Sequence, residues 1–275
     1  MYDGVSRSDT LQRAAGELRV SVKRRGAESV LDGLRQAGCL KARFSRPVAA
    51  GWFDVTMVNT SGGVAGGDQL DTAITLGEGT RATIAAQAAE RFYRALPDSP
   101  PSRVRTALTV AAGAAAEWLP QETILFDRCA LDRRLTVDIA PDASFLGVEM
   151  LVFGRAAMGE RVKTARLRDA FHIRRDGVWL WHDAIRLEGE CAAVLARPAL
   201  LEGARAVATL IHVAPDAGAR LDAVRAAVPG CGASAWNGML VARVVAGDGA
   251  ALRRAMLAVL AVLREGRPLP RVWAC

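Results

Sequence analysis

Residues 59–71 read Asn-Thr-Ser-Gly-Gly-Val-Ala-Gly-Gly-Asp-Gln-Leu-Asp, and this stretch decides how the surrounding chain is organised. Two glycine pairs, Gly62-Gly63 and Gly66-Gly67, run into Asp68. Glycine reaches positive-φ backbone and admits close approach of other groups, while weakening any regular element it interrupts. The stretch is therefore a tight, irregular connection. Residues 53–58 before it and Leu70, Ile74 and Leu76 after it have strand character. A phosphate-binding loop is the competing reading, and it fails. Neither Gly-x-x-x-x-Gly-Lys-Ser/Thr nor Gly-x-Gly-x-x-Gly is present, and a strand follows where a helix is required. Asp68 would also repel a phosphate. A strand-to-strand crossover with a placed carboxylate remains.

Working outward, residues 1–17 are polar and small and form a loose lead-in, and 18–23 alternates like a strand. Strands are expected over 40–44 and 53–58, with Pro47 and Gly51 marking the bend between them. After the glycine loop come 70–76, a turn at Gly77-Glu78-Gly79, and 81–87. The segment 97–101 is a proline-rich loop, and Val104, Thr106, Leu108 and Val110 then line one side of a strand. Pro120 divides 115–126 into two short extended pieces. Leu131, Leu135, Val137 and Ile139 define another strand, and 144–153 is almost wholly apolar with Glu149 as its single acid. Leu167, Phe171 and Ile173 lead to Asp176-Gly177, a hairpin signal, and 178–187 returns.

Helices are expected only late, near 217–228 and 249–264. Leu221, Val224 and Val228 carry helical spacing before Pro229-Gly230. Asp248 caps a longer helix with Leu252, Met256, Val259 and Leu263 on one face. The expected fold is mainly β: one domain over 1–275, a large many-stranded body of irregular β-sandwich or β-helix-like character with two C-terminal α-helices. There is no sequence repeat of the kind that marks a regular solenoid.

Composition narrows the function classes. A chain of 275 residues with 51% hydrophobic and 24% charged residues buries a large core. No run of eighteen apolar residues exists, and the first twenty residues are well charged, so neither a transmembrane helix nor a secretory signal is expected. Five scattered cysteines, at 39, 129, 191, 231 and 275, fit reduced thiols in the cytoplasm. The net charge of +7 sits on dispersed arginine pairs such as Arg133-Arg134 and Arg174-Arg175, without a dense basic block. That pattern argues against nucleic acid and leaves a basic face for an acidic protein, or an arginine-rich composition alone.

His172, His182 and His212 lack metal-ligand spacing, although His172 and His182 flank the expected hairpin and would face one another. No serine-nucleophile elbow is present. The acids are more informative. Asp68, Glu122, Asp127, Glu149 and Glu160 sit in apolar or glycine-rich contexts, where a carboxylate is costly unless paired. Arginines such as Arg94 or Arg155 would pair with them structurally. Paired carboxylates acting as a hydrolase on a glycoside are the catalytic alternative.

Several stretches together resemble the urease accessory protein D family, designated H in some bacteria. They are Gly62-Gly63-x-x-Gly66-Gly67-Asp68, Gln87-Ala88-Ala89 with Tyr93-Arg94, and Glu117 to Glu122 with Phe126-Asp127. Gly147-x-Glu149, Gly154-Arg155 to Glu160, the Arg174 to Gly177 hairpin and the Pro268 to Trp273 tail complete the match. A terminal Cys275 departs from the pattern. The resemblance implies a non-enzymatic scaffold for nickel urease. Such a scaffold docks on apo-urease and binds the F accessory protein, which brings the GTP-hydrolysing G protein. It also implies an internal passage for nickel, bound in transit and not tightly, for which the five acids are candidates. A homodimer within a larger complex stays open. Oxygen ligands hold Ni²⁺ less firmly than imidazole or thiolate, which suits a conduit.

Overall fold

The structure, a computed structural model, describes residues 12–198 and 200–274. The chain begins with β1 (Ala15–Arg25), β2 (Glu28–Gly38), β3 (Leu40–Phe44) and β4 (Phe53–Asn59). It continues through β5 (Gln69–Leu76), β6 (Arg81–Ala86), β7 (Glu90–Phe92), β8 (Ser102–Val110), β9 (Ala115–Leu119) and β10 (Thr123–Leu125). Four long strands follow: β11 (Ala130–Ile139), β12 (Ser144–Phe153), β13 (Thr164–Arg175) and β14 (Val178–Glu190). The remainder holds the short α1 (Ala192–Leu195), β15 (Ala206–Val213), α2 (Leu221–Ala227), β16 (Gly232–Trp236), β17 (Met239–Ala246) and α3 (Gly249–Leu263).

Two sheets result. The first runs β14-β13-β11-β8-β5-β1-β2, and the second runs β16-β17-β15-β12-β9-β6-β4-β3. Between β4 and β13 the long strands fall alternately in the second and first sheets, and within each sheet the successive strands pair in parallel. The body is thus a flattened β-helix, flanked by antiparallel strands such as β2, β14 and β15.

Its two ends differ. At one end the crossovers 77–80, 111–114 and 140–143 are short and hydrogen-bonded to one another, with Gly79 N to Ala112 O and Ser144 N to Ala114 O both at 2.9 Å. At the other end lie the long connections 60–68, 87–101, 120–129 and 154–163. Within them β10 pairs in parallel with β7 on one side and with the end of β12 on the other, and Val64 bridges to Phe92. These contacts make a narrow third ladder.

Alternation fills the space between the sheets. β11 sends Leu131, Leu135, Val137 and Ile139 inward, and the register sets Leu167, Phe171 and Ile173 of β13 beside them. A second cluster lies on the far side of the second sheet, where Leu252, Met256, Val259 and Leu260 of α3 pack on residues including Met150, Leu210 and Val244. Asp248 caps α3, accepting from Ala251 N at 2.7 Å.

The expected mainly β body with late helices is what folds, with differences in detail. Ala15 to Glu17 already belong to β1 and not to a lead-in; residues 1–11 lie outside the described residues, as does Cys275. β2 was not expected, because it is a mostly exposed edge strand without an apolar alternation. β15 escapes for the opposite reason, being buried on both faces. The helix expected over 217–228 is a 3-10 turn at Ala217–Arg220 followed by α2, and α3 ends at Leu263. Asp176 and Gly177 (φ 54° and 73°) form the hairpin turn their sequence signals, and Asn237 and Gly238 (φ 50° and 70°) repeat it between β16 and β17.

Glu117, on the opposite side of β9 from Trp118, ties this assembly to the C-terminal tail. It accepts from Thr83 Oγ1 at 2.7 Å, Arg264 Nε at 3.0 Å and Arg267 Nη2 at 2.7 Å. Burial opposes its ionisation, but Arg267 and Arg264 outweigh that and hold the carboxyl below its ordinary range. The stability it contributes is fully present above the unfolded value of 4.5 and is lost as pH falls through the lower folded value. Glu117→Ala leaves Arg264 buried without its partner. Urea unfolding at neutral pH should show a loss of about 3–5 kcal/mol. The variant should also lose less further stability on acidification below about pH 4.5 than the parent does.

Candidate functional site

The long-connection end carries the glycine loop, and its geometry explains the residue choice. Gly62 and Gly63 have φ of 76° and 141°, and a Cβ on Gly63 would stand 2.4 Å from the Tyr93 ring. Tyr93 in turn donates its hydroxyl to Gly62 O at 2.5 Å. Beside this loop, between the two sheets, lies a cavity of about 170 Å³. Its polar lining includes Asn59, Gln87, Glu90, Thr123, Arg133 and Glu149.

Arg133 is the centre of that lining. It points inward from β11 at a position where its neighbours in the alternation are Leu131 and Leu135. Its Nε and Nη2 grip Asp169 of β13 at 2.7 and 2.6 Å, and Nη1 donates to Thr123 Oγ1 at 2.8 Å. Nη1 also lies 2.7 Å from Glu149 Oε2. That contact is an ion pair without hydrogen-bond alignment, so Oε2 keeps unused acceptor capacity. The other Glu149 oxygen accepts from Trp118 Nε1 at 2.7 Å. Glu90, nearby, accepts from Asn59 Nδ2 at 3.2 Å.

Burial pushes the Glu149 carboxyl upward, and the like charge of Asp169 adds to this against the pull of Arg133. Glu90 is likewise raised by burial, with Asn59 opposing. Arg133 is held charged in spite of its burial, by Asp169 and Glu149. Two carboxyl groups, Asp169 and Glu149, therefore contact one guanidinium, and Glu90 acts on it through space. Among the described residues no three histidine, cysteine or acidic side chains converge closely enough to hold a metal ion.

Of the acids singled out by sequence, only Glu149 lines this cavity, together with Gly62, Gly63 and Gln87. Asp68 is buried and spends its oxygens on Ala14 N (2.8 Å) and Ala65 N (2.7 Å), fastening the glycine loop to the start of β1. Gly66 gives the loop room against Ala95, and Gly67 has φ of 89°. Glu122 pairs with Arg253 of α3 at 3.3 Å. Asp127 accepts from Lys163 N and Thr164 N at 2.7 and 3.0 Å; burial opposes its ionisation, but these amides hold its carboxyl low. Glu160 is held low by Arg155, whose Nε is 2.8 Å away.

Several dispersed motif residues nevertheless form a chain of contacts. Tyr93 packs edge-on to Phe126 at 5.2 Å, Arg155 lies 4.2 Å over the Phe126 ring, and Glu160 accepts from Asp127 N at 3.4 Å. Arg155 is thus the partner expected of it. Arg94 is not: its backbone bridges to Cys129, and its side chain borders a surface depression. His172 and His182 do face one another, with rings stacked at 4.3 Å. The sequence reading missed Asn59, Glu90, Arg133 and Asp169. Two of them were legible, since Arg133 and Asp169 each interrupt an inward apolar alternation.

The two first glycines separate strain from collision. Gly62→Ala meets no atom within 4 Å and should cost about 1 kcal/mol for its positive φ. Gly63→Ala must also displace Tyr93, and thermal unfolding should show a loss of about 2–4 kcal/mol.

Residues 14–274 match the family model described as UreD urease accessory protein. The urease accessory protein UreD of Azorhizobium caulinodans is 45% identical, the alignment covering 96% of this chain and 97% of the relative. Those of Sinorhizobium medicae and Methylobacterium sp. strain 4-46 are 45% and 46% identical, over 95% and 90% of this chain and 96% and 90% of theirs. This chain belongs to the UreD urease accessory protein family.

Proposed function

We propose that this chain is a cytoplasmic, non-enzymatic urease maturation factor. It docks on apo-urease and binds the F accessory protein, through which the GTP-hydrolysing G protein joins and supplies nickel. The chain supports transfer of that ion to the urease site and holds it only in transit. Family membership supports the role in maturation. The observation that carries the passage is the buried carboxyl layer: Glu90 and Glu149 line an internal cavity beneath the glycine loop, and both are shifted toward the protonated form. A divalent cation would replace those protons at oxygen ligands, which bind nickel weakly enough to release it. Glu149 and Asp169 share Arg133 in the interior, an arrangement that favours an ion over attack on a glycoside.

Glu90→Gln and Glu149→Gln should leave the yield of the complex with F and apo-urease unchanged. Urease activation at limiting nickel should fall several-fold and be partly restored by excess nickel. Asp68→Asn, which loosens the loop, should lower complex yield and activation in step. Full activation at limiting nickel by both glutamine variants overturns the passage, and absence of any complex with F overturns the scaffold. Calorimetry should find nickel binding on the order of micromolar or weaker.

A further inference from the structure

Parallel sheets are usually covered on both faces. The first sheet departs from this: among the described residues no helix covers its outer face, and that face is charged. Register sets Asp71, Arg105, Arg134 and Ala170 in one row across four strands. The next row holds Ala73, Ala107, Thr136, His172 and His182. Over the small side chains Ala73, Ala107 and Thr136 the surface sinks into a depression of about 240 Å³, with Arg105 and Arg134 along one border and Glu17, Arg19 and Asp71 along the other.

Most cations here are neutralised by a neighbour. Arg105 pairs with Asp132, Arg174 grips Asp138 at 2.6 and 3.1 Å, and Arg103 reaches Asp71 at 3.3 Å. Arg134 and Arg168 are different. Neither has a hydrogen bond or ion pair among the described residues, and Arg134 Nε is buried and unsatisfied. They are diagonal neighbours, because Arg134 pairs with Ala170 and Arg168 precedes Ala170 by two residues on β13. On the other diagonal stands His172, only 8% exposed, with Nε2 also buried and unsatisfied. Burial, His182 and the arginines hold this imidazole below its usual range. The carboxylate beside them, Asp132, stands opposite Arg168 in the register but is engaged by Arg105, so donors here outnumber free acceptors.

We propose that Arg134, Arg168 and His172 form an oxyanion site on the open sheet face, which receives the carboxylates of an acidic segment of a protein partner. Guanidinium forks match carboxylates in geometry and charge, and the net charge of +7 favours such a partner at long range. The interspersed carboxylates decide against nucleic acid. A phosphate strand carries a charge about every 3.4 Å and would have to pass over Asp71, Asp132 and Asp138. Side-chain carboxylates spaced along a peptide can instead be set against Arg134 and Arg168 individually, while the small floor admits a main chain. This surface is separate from the interior cavity, and the proposal holds whether or not nickel passes there.

The test uses the full chain and a labelled peptide of alternating glutamate and serine. Its controls are the glutamine–serine counterpart, inorganic phosphate and a single-stranded oligonucleotide. The glutamate peptide should bind saturably and the glutamine peptide should not. Arg134→Gln and Arg168→Gln should each weaken binding about tenfold, or 1.4 kcal/mol. Arg35→Gln, whose side chain is paired with Glu17 at the far edge of the same sheet, should change it less than about twofold. Trp179, edge-on to His172 at 5.5 Å, should report occupancy by fluorescence, a signal lost in Trp179→Phe. Melting curves separate lost binding from lost folding, and exposed Arg168 keeps the test decisive if Arg134→Gln is unstable. Parent-like affinity in the folded arginine variants overturns the site, as does equal binding of the glutamine peptide. Tighter binding of phosphate or the oligonucleotide than of the glutamate peptide overturns the carboxylate partner.

Discussion

Parallel pairing between successive coils is the constraint on which the rest depends. A strand that must lie parallel to its predecessor has to be carried back to the same end, so every coil contains two crossovers. Here one of each pair is a four-residue turn and the other is long. Turns stacked at one end bond to one another and fix the register. Residues far apart in sequence, from the glycine loop to Glu160, are thereby gathered at the opposite end without any one segment needing to be long. The match to dispersed motifs follows from this geometry, since each motif is the rim portion of one coil.

The interior shows what that arrangement is used for. A β-helix core is most stable when its inward rows are apolar, and most rows here are: Leu135, Val137 and Ile139 on β11 continue with Phe171 and Ile173 on β13. The rows nearest the rim are polar instead. Arg133, Asp169 and Glu149 are each about one-tenth exposed, at a desolvation cost that a leucine would avoid. Fully paired they specify register; incompletely paired, as Glu149 Oε2 is, they leave room for something else to bind. The two sheets divide labour. The second sheet is covered by α3, and the first offers its charges to solvent.

How much of this could be read from the chain depended on whether one face of an element was buried. β8 and β11 alternate cleanly because one side meets the core and the other meets water, and α3 shows both its cap and its apolar stripe. β2 is too exposed and β15 too buried to alternate, so neither left a periodic trace. The acids were legible as costly, but not as partners. Asp68 turned out to bond two backbone amides, Asp127 two others, and Glu122 an arginine on α3, all contacts set by long-range topology. Arg133 and Asp169 broke their alternations visibly, whereas Glu90 lies in a three-residue strand too short to carry any pattern.

The tie at Glu117 bears on how the protein is made. This acid lies on β9, yet two of its partners, Arg264 and Arg267, follow it by 147 and 150 residues. Until they arrive, the second sheet holds an uncompensated buried carboxylate and α3 has no anchor at its end. The second sheet therefore completes its polar tie only after these two residues have been made, and a chain cut short near residue 263 leaves the Glu117 carboxylate with neither arginine.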